Sequence, residues 1–400
     1  MVKSHVLVLA VLIAVAAMTG CPSPSGDGAD VVPPPPVDET PPPQSSPKAS
    51  WGLLVGTETE IVWVAQDGSE QHPVASHSPG TYEGRAQISP DGGKLAMFAD
   101  DLSVEVVDIA TGEVTTFAGP LEGEHWREYL AWSPDGQRLA WTEDGNLFVS
   151  AVDGETSQIV DTGDVTDLAW SPDSSQLAIC RRDRAELGLG LFLIPADGGE
   201  MTQVAPASND IVAASHPAWS PDGGTIAFCR SWETGTLCFA HTDGSDARLD
   251  LGPAAGRPLW LGDGTGVVYN AAVNEMETRG VYFCTPYGEP QAVAEGEFAN
   301  FDMLPEGRML LVRGAGDRMS DVSIIRGVPG DIAAEGQRQV PVAWGQCSWR
   351  PDGEAFAIWG TVGTGSTAQV FVGAMEGEMT RLEIDPLTVI GWARRDAESN

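Results

Sequence analysis

The chain has 400 residues, 42% of them hydrophobic, and it carries 57 acidic against 22 basic side chains, a formal net charge of −35 at pH 7. Repulsion of this size argues against nucleic acids and anionic membrane surfaces as partners. It favours solubility, basic partners or divalent cations, although a solvated acidic surface is the simpler explanation.

The N-terminus has the pattern of an export signal. Lys3 is followed by an uncharged apolar run from Val6 to Met18, and then by small residues up to Gly20 and Cys21. Such an arrangement is typical of a cleaved signal and is too short to span a membrane. The Gly-Cys junction resembles a bacterial lipobox. Residues 1–20 are therefore predicted to be a lipoprotein signal peptide and Cys21 the lipidated first residue, with ordinary cleavage and an unmodified Cys21 as the alternative.

The segment from 21 to 50 is predicted to be a disordered linker that begins with the lipidated cysteine. It contains the proline runs 33–36 and 41–43 among Ser, Gly and Asp residues. This composition cannot form a core. Proline runs favour extended polyproline II at ~3.1 Å per residue, so the segment would tether a folded domain at a distance from a membrane.

A Trp-Ser-Pro-Asp motif recurs along the rest of the chain. It is complete where it begins at Trp132, Trp170 and Trp219, close variants begin at Ile88 and Trp349, and degenerate copies begin at Trp260, Met303 and Trp392. The steps between copies are 44, 38, 49, 41, 43, 46 and 43 residues. A period near 40–45 residues indicates a β-propeller, an all-β fold with blades of four strands.

Each motif copy is followed by the pattern of three further strands. Short apolar runs alternate with Gly, Asp and Pro turn residues, as in Leu177–Cys180 and Leu191–Ile194. If the strands of a blade are named A to D, the motif ends strand A, because its Pro cannot join a ladder. The motif Asp is predicted to lock the turn by bonding the backbone two residues on. The motif Trp is predicted to face the neighbouring blade as an apolar plug.

The two termini of the repeat region complement each other. Residues 51–75 supply strands B, C and D with no motif before them, and Val389–Trp392 supplies a strand A with nothing after it. One blade shared between both ends would close the ring and remove open edges. The sequence therefore predicts a propeller over residues 51–400 with eight blades, and seven if a degenerate copy is not a separate blade.

The repeat resembles that of the periplasmic protein TolB and of the propellers in prolyl-oligopeptidase-like enzymes. The likeness covers residues 51–396 and rests on the motif followed by Gly and a Leu-Ala or Ile-Ala pair, as at Leu139-Ala140 and Ile226-Ala227. It implies a TolB-type propeller lipoprotein. Propellers have many activities, so the resemblance favours the fold more strongly than any function.

Cysteine placement suggests one disulfide. Five cysteines follow Cys21, and Cys229 and Cys238 lie on strands B and C of one predicted hairpin, directly opposite each other. Export would permit a bridge there. The alternative is that all five are small buried apolar residues. No Cys or His spacing suggests a metal site.

The chain carries no catalytic signature. A prolyl-oligopeptidase-like enzyme needs a Gly-x-Ser-x-Gly elbow with a later Asp and His, and no such pentapeptide is present. The sequence therefore predicts a protein that is not an enzyme and has no cofactor. A glycoside hydrolase or lyase built on a propeller remains an alternative.

A binding face follows from the strand order. The D–A and B–C connections share one face of the ring, and aromatic, His and Arg residues gather there: His77, Tyr82, His125, Trp126, His216, Arg181, Arg182, Arg184 and Trp232. Exposed aromatic and Arg side chains are frequent anchors of recognition. Local packing and intraprotein ion pairs are the alternative.

These features together predict a function. We expect an exported, lipid-anchored, monomeric scaffold, periplasmic or surface-facing, that binds a protein or peptide at the bacterial cell envelope and contacts the membrane only through its anchor. The alternatives are a surface propeller that binds or cleaves carbohydrate or another polymer, and a small-ligand or metal-dependent enzyme.

Overall fold

The computed structural model describes residues 50–395, apart from the gaps 77–85, 122–125, 153–157, 162, 184–187, 206–213, 231–234, 249–250, 273–278, 296–297, 315–318, 362–367, 385 and 387. All regular elements in these ranges are β-strands. No helix among the described residues has the length and apolar character needed to cross a bilayer.

The strands follow one another in sets of four. The first three are β1 (Ser50–Gly56), β2 (Ile61–Ala65) and β3 (Gln71–Ala75). Blade 1 has β4 (Ala86–Ile88), β5 (Lys94–Phe98), β6 (Val104–Asp108) and β7 (Val114–Ala118), and blade 2 has β8 (Arg127–Trp132), β9 (Arg138–Glu143), β10 (Asn146–Ala151) and β11 (Gln158–Asp161). Blade 3 has β12 (Val165–Trp170), β13 (Gln176–Asp183), β14 (Gly188–Pro195) and β15 (Thr202–Ala205), and blade 4 has β16 (Ala214–Trp219), β17 (Thr225–Arg230), β18 (Gly235–His241) and β19 (Ala247–Arg248). Blade 5 has β20 (Pro253–Trp260), β21 (Val267–Ala272), β22 (Arg279–Cys284) and β23 (Gln291–Ala294), and blade 6 has β24 (Phe298–Met303), β25 (Arg308–Gly314), β26 (Ser320–Arg326) and β27 (Ala333–Val340). Blade 7 has β28 (Ala343–Trp349), β29 (Ala355–Thr361), β30 (Ala368–Ala374) and β31 (Thr380–Leu382), and the last strand is β32 (Thr388–Arg395).

The ring is closed by a blade shared between the two ends of the described chain. Its strand order is β3-β2-β1-β32, so β32 is strand A and β1 to β3 are strands B to D. The ladder between β1 and β32 is antiparallel and sets Leu53 opposite Trp392. The prediction of eight blades is confirmed, because the degenerate copies at Trp260 and Met303 each end the first strand of a separate blade. Blades 4 and 5 are also joined by a short ladder between β18 and β20.

The hydrophobic core lies between the blades. One cluster combines Phe98 and Val106 of blade 1 with Trp132 and Trp141 of blade 2. Other clusters repeat this arrangement around the ring, and the one that contains Trp392 joins blade 7 to the closing blade. Burial of apolar side chains against the next blade therefore fixes the order of the ring.

The motif turn repeats one hydrogen-bond pattern. In blade 4 the Ser220 hydroxyl donates to Asp222 Oδ1 at 2.6 Å, and the Gly224 N–H donates to the same oxygen at 3.0 Å. These bonds, the Ser220 bond first, hold the pKa of Asp222 below its usual value. Gly223 takes a left-handed φ of 72°, which suits a residue without Cβ. The Asp thus has the structural role that the sequence predicted.

The motif Trp does more than fill space. The indole N–H of Trp170 donates to the carbonyl of Ala131 at 3.1 Å, and that of Trp219 donates to Ala169 at 3.1 Å. In each case the acceptor immediately precedes the motif of the previous blade. The same bond is made by the indoles of Trp132, Trp260 and Trp392. Sequence reasoning predicted the apolar contact and missed this chain of hydrogen bonds from blade to blade.

Trp349 offers an internal comparison. Its indole N–H is buried, and no described residue accepts a hydrogen bond from it. Trp170→Phe should therefore destabilise the protein by about 1–2 kcal/mol more than Trp349→Phe, because only the first substitution leaves a carbonyl without its donor. Denaturant unfolding of both variants measures the difference. Equal losses of unfolding free energy would show that these bonds add nothing to the packing.

Candidate functional site: the central channel

The face with the D–A and B–C connections, here called the loop face, exists as predicted because strands A and B of each blade are antiparallel. Trp126 lies there, immediately before β8, and is 52% exposed. Its backbone N–H donates to Asp144 Oδ1 at 3.1 Å. His77, Tyr82, His125, Arg184 and Trp232, and the side chain of Arg182, fall outside the described residues.

Arg181 is placed near the loop-face end of β13, where it is half-buried. Its Nε donates to the carbonyl of Gly163 at 3.4 Å. A Cβ on Gly163 would lie 2.1 Å from Arg181 Nη2, so the guanidinium lies flat against that glycine. Arg181 therefore contributes to packing in blade 3. Local packing was the alternative to a binding role in the sequence analysis.

His216 lies within strand A of blade 4, not in the D–A loop. It occupies a bulge of β16 with a φ of 54°, and its side chain is exposed. Its backbone N–H donates to Asp167 Oδ2 at 2.7 Å, and Asp167 Oδ1 accepts the N–H of Leu168 at 2.8 Å. The buried Asp167 thus joins strand A of blade 3 to strand A of blade 4.

Strand A of each blade lines a central channel. Side chains alternate along a strand, and the residue before the first motif position is half-buried where its neighbours on either side are mostly buried. These positions are Gln87, Ala131, Ala169, Ala218, Leu259, Asp302, Ser348 and Gly391, and the last four of them line the cavity described next. Small residues dominate in blades 2 to 4, and polar or larger ones follow in blades 5 to 7.

A cavity of about 390 Å³ opens in the channel between blades 5, 6 and 7 and the closing strand. Its polar lining includes Arg257, Asn270, Asn300, Asp302 and Ser348. Trp359, Phe301 and Leu259 supply aromatic and apolar surface. The volume lies at the lower end of the ~300–1,000 Å³ that ligand pockets occupy.

Asp302 is the carboxylate of this cavity. Its Oδ2 accepts the backbone N–H of Trp349 at 2.7 Å, and its Oδ1 accepts that of Met303 at 2.8 Å. Burial raises the pKa of Asp302, and the hydrogen bonds from Trp349, Met303 and Ser348 oppose the rise. No cationic side chain of the described chain is among the groups that lower this pKa.

Two further polar groups of the cavity differ in how they are satisfied. The Oδ1 atom of Asn270 is buried and accepts no hydrogen bond within the described chain. Arg257 is exposed, and its Nη2 donates to the carbonyl of Leu168 in blade 3 at 3.5 Å. The lining residues thus include an amide whose buried oxygen lacks a donor and a cation whose hydrogen bond to Leu168 is long.

The face of the ring opposite the loop face carries the A–B and C–D turns and is here called the motif face. A second cavity, of about 310 Å³, lies at this face. It sits where the closing blade meets its neighbours, and Trp51, Trp349 and Trp392 line it with Pro90 and Pro351. No group of three or more His, Cys, Asp or Glu side chains in the described ranges is placed to hold a metal ion.

The predicted disulfide between Cys229 and Cys238 is wrong. The hairpin register sets Cys229 opposite Leu237 and Cys238 opposite Phe228. The two cysteines therefore point to opposite faces of blade 4, where each is a buried thiol in a different core cluster. Burial raises the pKa of Cys229 to about 12, as expected of a small apolar core residue.

Sequence reasoning did not select the residues of the channel cavity. Asn270 sits in a strand B, which carries no motif, and Arg257 lies three residues before the degenerate copy at Trp260, so no spacing marks either residue. Asp302 left one usable signal, because it stands where Ala131 and Ala169 precede the motif in other blades. An acidic side chain at a position that is small elsewhere in the repeat indicates a local role.

Comparisons with known proteins support the fold and extend the range of functions. The family described as the dipeptidyl peptidase IV N-terminal region matches residues 100–190, from blade 1 into blade 3. A search of curated protein sequences finds no match.

Solved structures share the fold at low sequence identity. The chain is similar to an oligogalacturonate lyase in complex with manganese, with 16% identity, a TM-score of 0.55, and coverage of 83% of this chain and 99% of the lyase. It is also similar to dihydro-haem d1 dehydrogenase NirN in complex with DHE, with 16% identity, a TM-score of 0.62, and coverage of 88% and 77%. A putative dipeptidyl aminopeptidase IV from Bacteroides ovatus matches with 10% identity, a TM-score of 0.56, and coverage of 85% and 59%.

These comparisons correct one prediction and limit another. The prediction that the chain is not an enzyme is wrong as a deduction from missing motifs, because the matching family and these neighbours are enzyme-related propellers, and the lyase is covered almost completely. The resemblance to TolB is confirmed only at the level of a β-propeller. The chain is thus an eight-bladed β-propeller related in fold to propellers that belong to enzymes.

Proposed function

We propose that this protein is an exported, lipid-anchored propeller that binds a segment of a protein or peptide partner at the cell envelope, in the channel cavity next to Asp302. The observation that carries the proposal is Asn270, which lines a cavity of about 390 Å³ and whose buried Oδ1 accepts no hydrogen bond from any described residue. Buried polar groups without partners are rare in folded proteins, and a ligand that supplies the missing donor is a direct explanation.

Blocking the channel tests the binding site. Leu259 faces the cavity, and Leu259→Trp should fill it and cost ~2 kcal/mol or more of partner-binding free energy. Val114→Trp is the matched control, because Val114 lies on the outer strand of blade 1 and is 48% exposed. Capture of an envelope protein by residues 48–400, followed by binding titrations with that protein, measures both variants.

The same experiment includes catalysis. Mass spectrometry of the captured partner shows whether it is returned intact or cleaved, a question raised by the enzyme-related neighbours. Equal affinity of the wild type and Leu259→Trp for the partner would place binding outside the channel and contradict the proposal.

Lipid anchoring has its own test. Cys21→Ser should move the full-length protein from the membrane fraction to the soluble fraction, or leave it as a larger unprocessed precursor, because the acyl chains have no other attachment point. Cys347→Ser, a buried cysteine of the propeller, should leave fractionation unchanged. A mature Cys21→Ser protein that stays in the membrane fraction would contradict the anchor.

A further inference from the structure

We propose that the channel cavity receives a basic side chain of the partner segment, an ammonium or guanidinium group that bonds to Asn270 and Asp302. This inference rests on the proposed function, and it names the chemistry that the cavity recognises. It is carried by three features of the lining: the unsatisfied acceptor of Asn270, the buried carboxylate of Asp302, which bonds to backbone N–H groups and to no described cation, and aromatic surface.

The first feature requires a hydrogen-bond donor from the ligand. Asn270 projects from β21, the second strand of blade 5, and its Oδ1 is buried without a hydrogen bond. An amide oxygen can accept two hydrogen bonds. A ligand whose buried part only accepts hydrogen bonds, such as a carboxylate or a sulfate, would leave this atom unsatisfied.

The second feature favours a positive charge on that donor. Asp302 lines the same cavity, its carboxylate accepts backbone N–H bonds from Trp349 and Met303, and burial raises its pKa. The two N–H donors leave lone pairs on both oxygens. A cation in the cavity would offset the cost of burying the charge and would make a charge-assisted hydrogen bond.

The third feature matches the shape of a basic side chain. Phe301 and the half-buried Trp359 add aromatic surface to the lining. Cations bind over aromatic faces, and the planar guanidinium also stacks on them. A cavity of about 390 Å³ holds one long side chain with part of its backbone, not a folded domain.

Two other charges of the channel define the orientation. Arg257 is exposed and extends toward the Leu168 carbonyl, so its guanidinium suits the carbonyl oxygens of a peptide backbone better than a second cation. Asp167 is buried and bonded to two backbone N–H groups in the wall between blades 3 and 4. The net charge of −35 favours a basic segment at longer range.

The test is calorimetric titration of the full-length protein with glycine pentapeptides, blocked at both ends, that carry a central Arg, Lys, citrulline or Glu. We expect the Arg and Lys peptides to bind. The citrulline peptide has the shape of the Arg peptide without its charge, and its affinity should be lower by a factor of about ten or more. Asp302→Asn and Asn270→Leu should each lower the affinity for the Arg peptide by about tenfold. Thermal unfolding shows whether both variants fold. If Asp302→Asn does not fold, the affinity of Asn270→Leu for the Arg peptide is sufficient to test the inference.

Asp321→Asn is the matched control. Asp321 lies in the same blade on β26, outside the channel, where it accepts a hydrogen bond from Gln339 at 2.7 Å. Loss of the same affinity in this variant and in Asp302→Asn would reveal a general charge effect and overturn the inference. Equal binding of the Arg and citrulline peptides, tighter binding of the Glu peptide, or no binding of any peptide would overturn it as well.

Two further measurements are needed. One distinguishes a free amine from a partner side chain as the source of the basic group, and the other distinguishes failure of this inference from failure of the proposed function. Arginine amide that binds as tightly as the Arg peptide would assign the site to a free amine of the same chemistry, whereas tighter peptide binding assigns it to a side chain of a partner. Partner capture that is lost in Leu259→Trp but unchanged in Asp302→Asn would overturn this inference and leave the proposed function standing.

Discussion

Removal of residues 389–400 should abolish the cooperative thermal transition of the propeller or lower its midpoint severely. The deletion removes nearly all of β32, and with it the buried Trp392, Ala393 and Val389. Loss of one large buried side chain costs ~3–5 kcal/mol, and a whole domain has only ~5–15 kcal/mol of stability. It also exposes the edge of β1, whose hydrogen bonds to β32 would be lost.

A shorter truncation is the control. Ending the chain after Arg395 keeps all of β32 and should leave the melting temperature close to that of the wild type. Circular dichroism follows unfolding, and light scattering follows association through the exposed strand edge. Wild-type melting of the 389–400 deletion would show that the ring does not depend on its shared blade.

The repeat made the fold predictable from sequence. A motif that returns at a nearly fixed period carries the same turn each time, and the bonds around Asp222 show why the Ser, Asp and Gly of that turn are needed. The incomplete units at the two ends then required a shared blade. Each level of the argument concerns local backbone geometry, which a sequence pattern records directly.

The disulfide prediction failed because the predicted pairing of strands β17 and β18 was shifted by one residue from the observed pairing. Strand residues alternate between faces, so a shift of one residue moves a side chain to the other side of the sheet. The predicted pairing set Cys229 against Cys238, whereas the structure pairs Cys229 with Leu237. Cys229 consequently belongs to the core between blades 4 and 5, and Cys238 to the core between blades 3 and 4.

The channel cavity was beyond sequence reasoning for a different reason. Arg257 and Asn270 come from blade 5 and Asp302 comes from blade 6, and blade 7 and the closing strand supply the other walls, so only the closed ring sets these residues around one space. The predicted loop-face residues were chosen for type and connection, yet Arg181 packs on Gly163 and His216 sits in a strand bulge. Side-chain direction in a bulge depends on local backbone geometry that a residue pattern does not encode.

Arg127→Ala is expected to destabilise the protein by about 3 kcal/mol, since breaking a buried ion pair leaves a charge without its partner. Arg127 is 3% exposed, and its Nη2 and Nε donate to Glu143 Oε2 at 2.7 and 3.0 Å. Its Nη1 donates to the carbonyls of Leu102 and Gly119 in blade 1. The substitution would therefore leave one carboxylate and two carbonyls unsatisfied at the contact between blades 1 and 2.

Two variants separate the causes of this loss. Arg138→Ala removes an ion pair to Asp197, whose side chain is 87% exposed, and should change the unfolding free energy by less than about 1 kcal/mol. Glu143→Gln keeps an acceptor for Arg127 but removes the charge, so its cost measures the ionic part alone. Denaturant unfolding gives all three values. If Arg127→Ala cost no more than Arg138→Ala, the bonds of Arg127 to blade 1 would be replaceable by water, and the ring would be held at this contact by apolar packing of Trp132 and Phe98 alone.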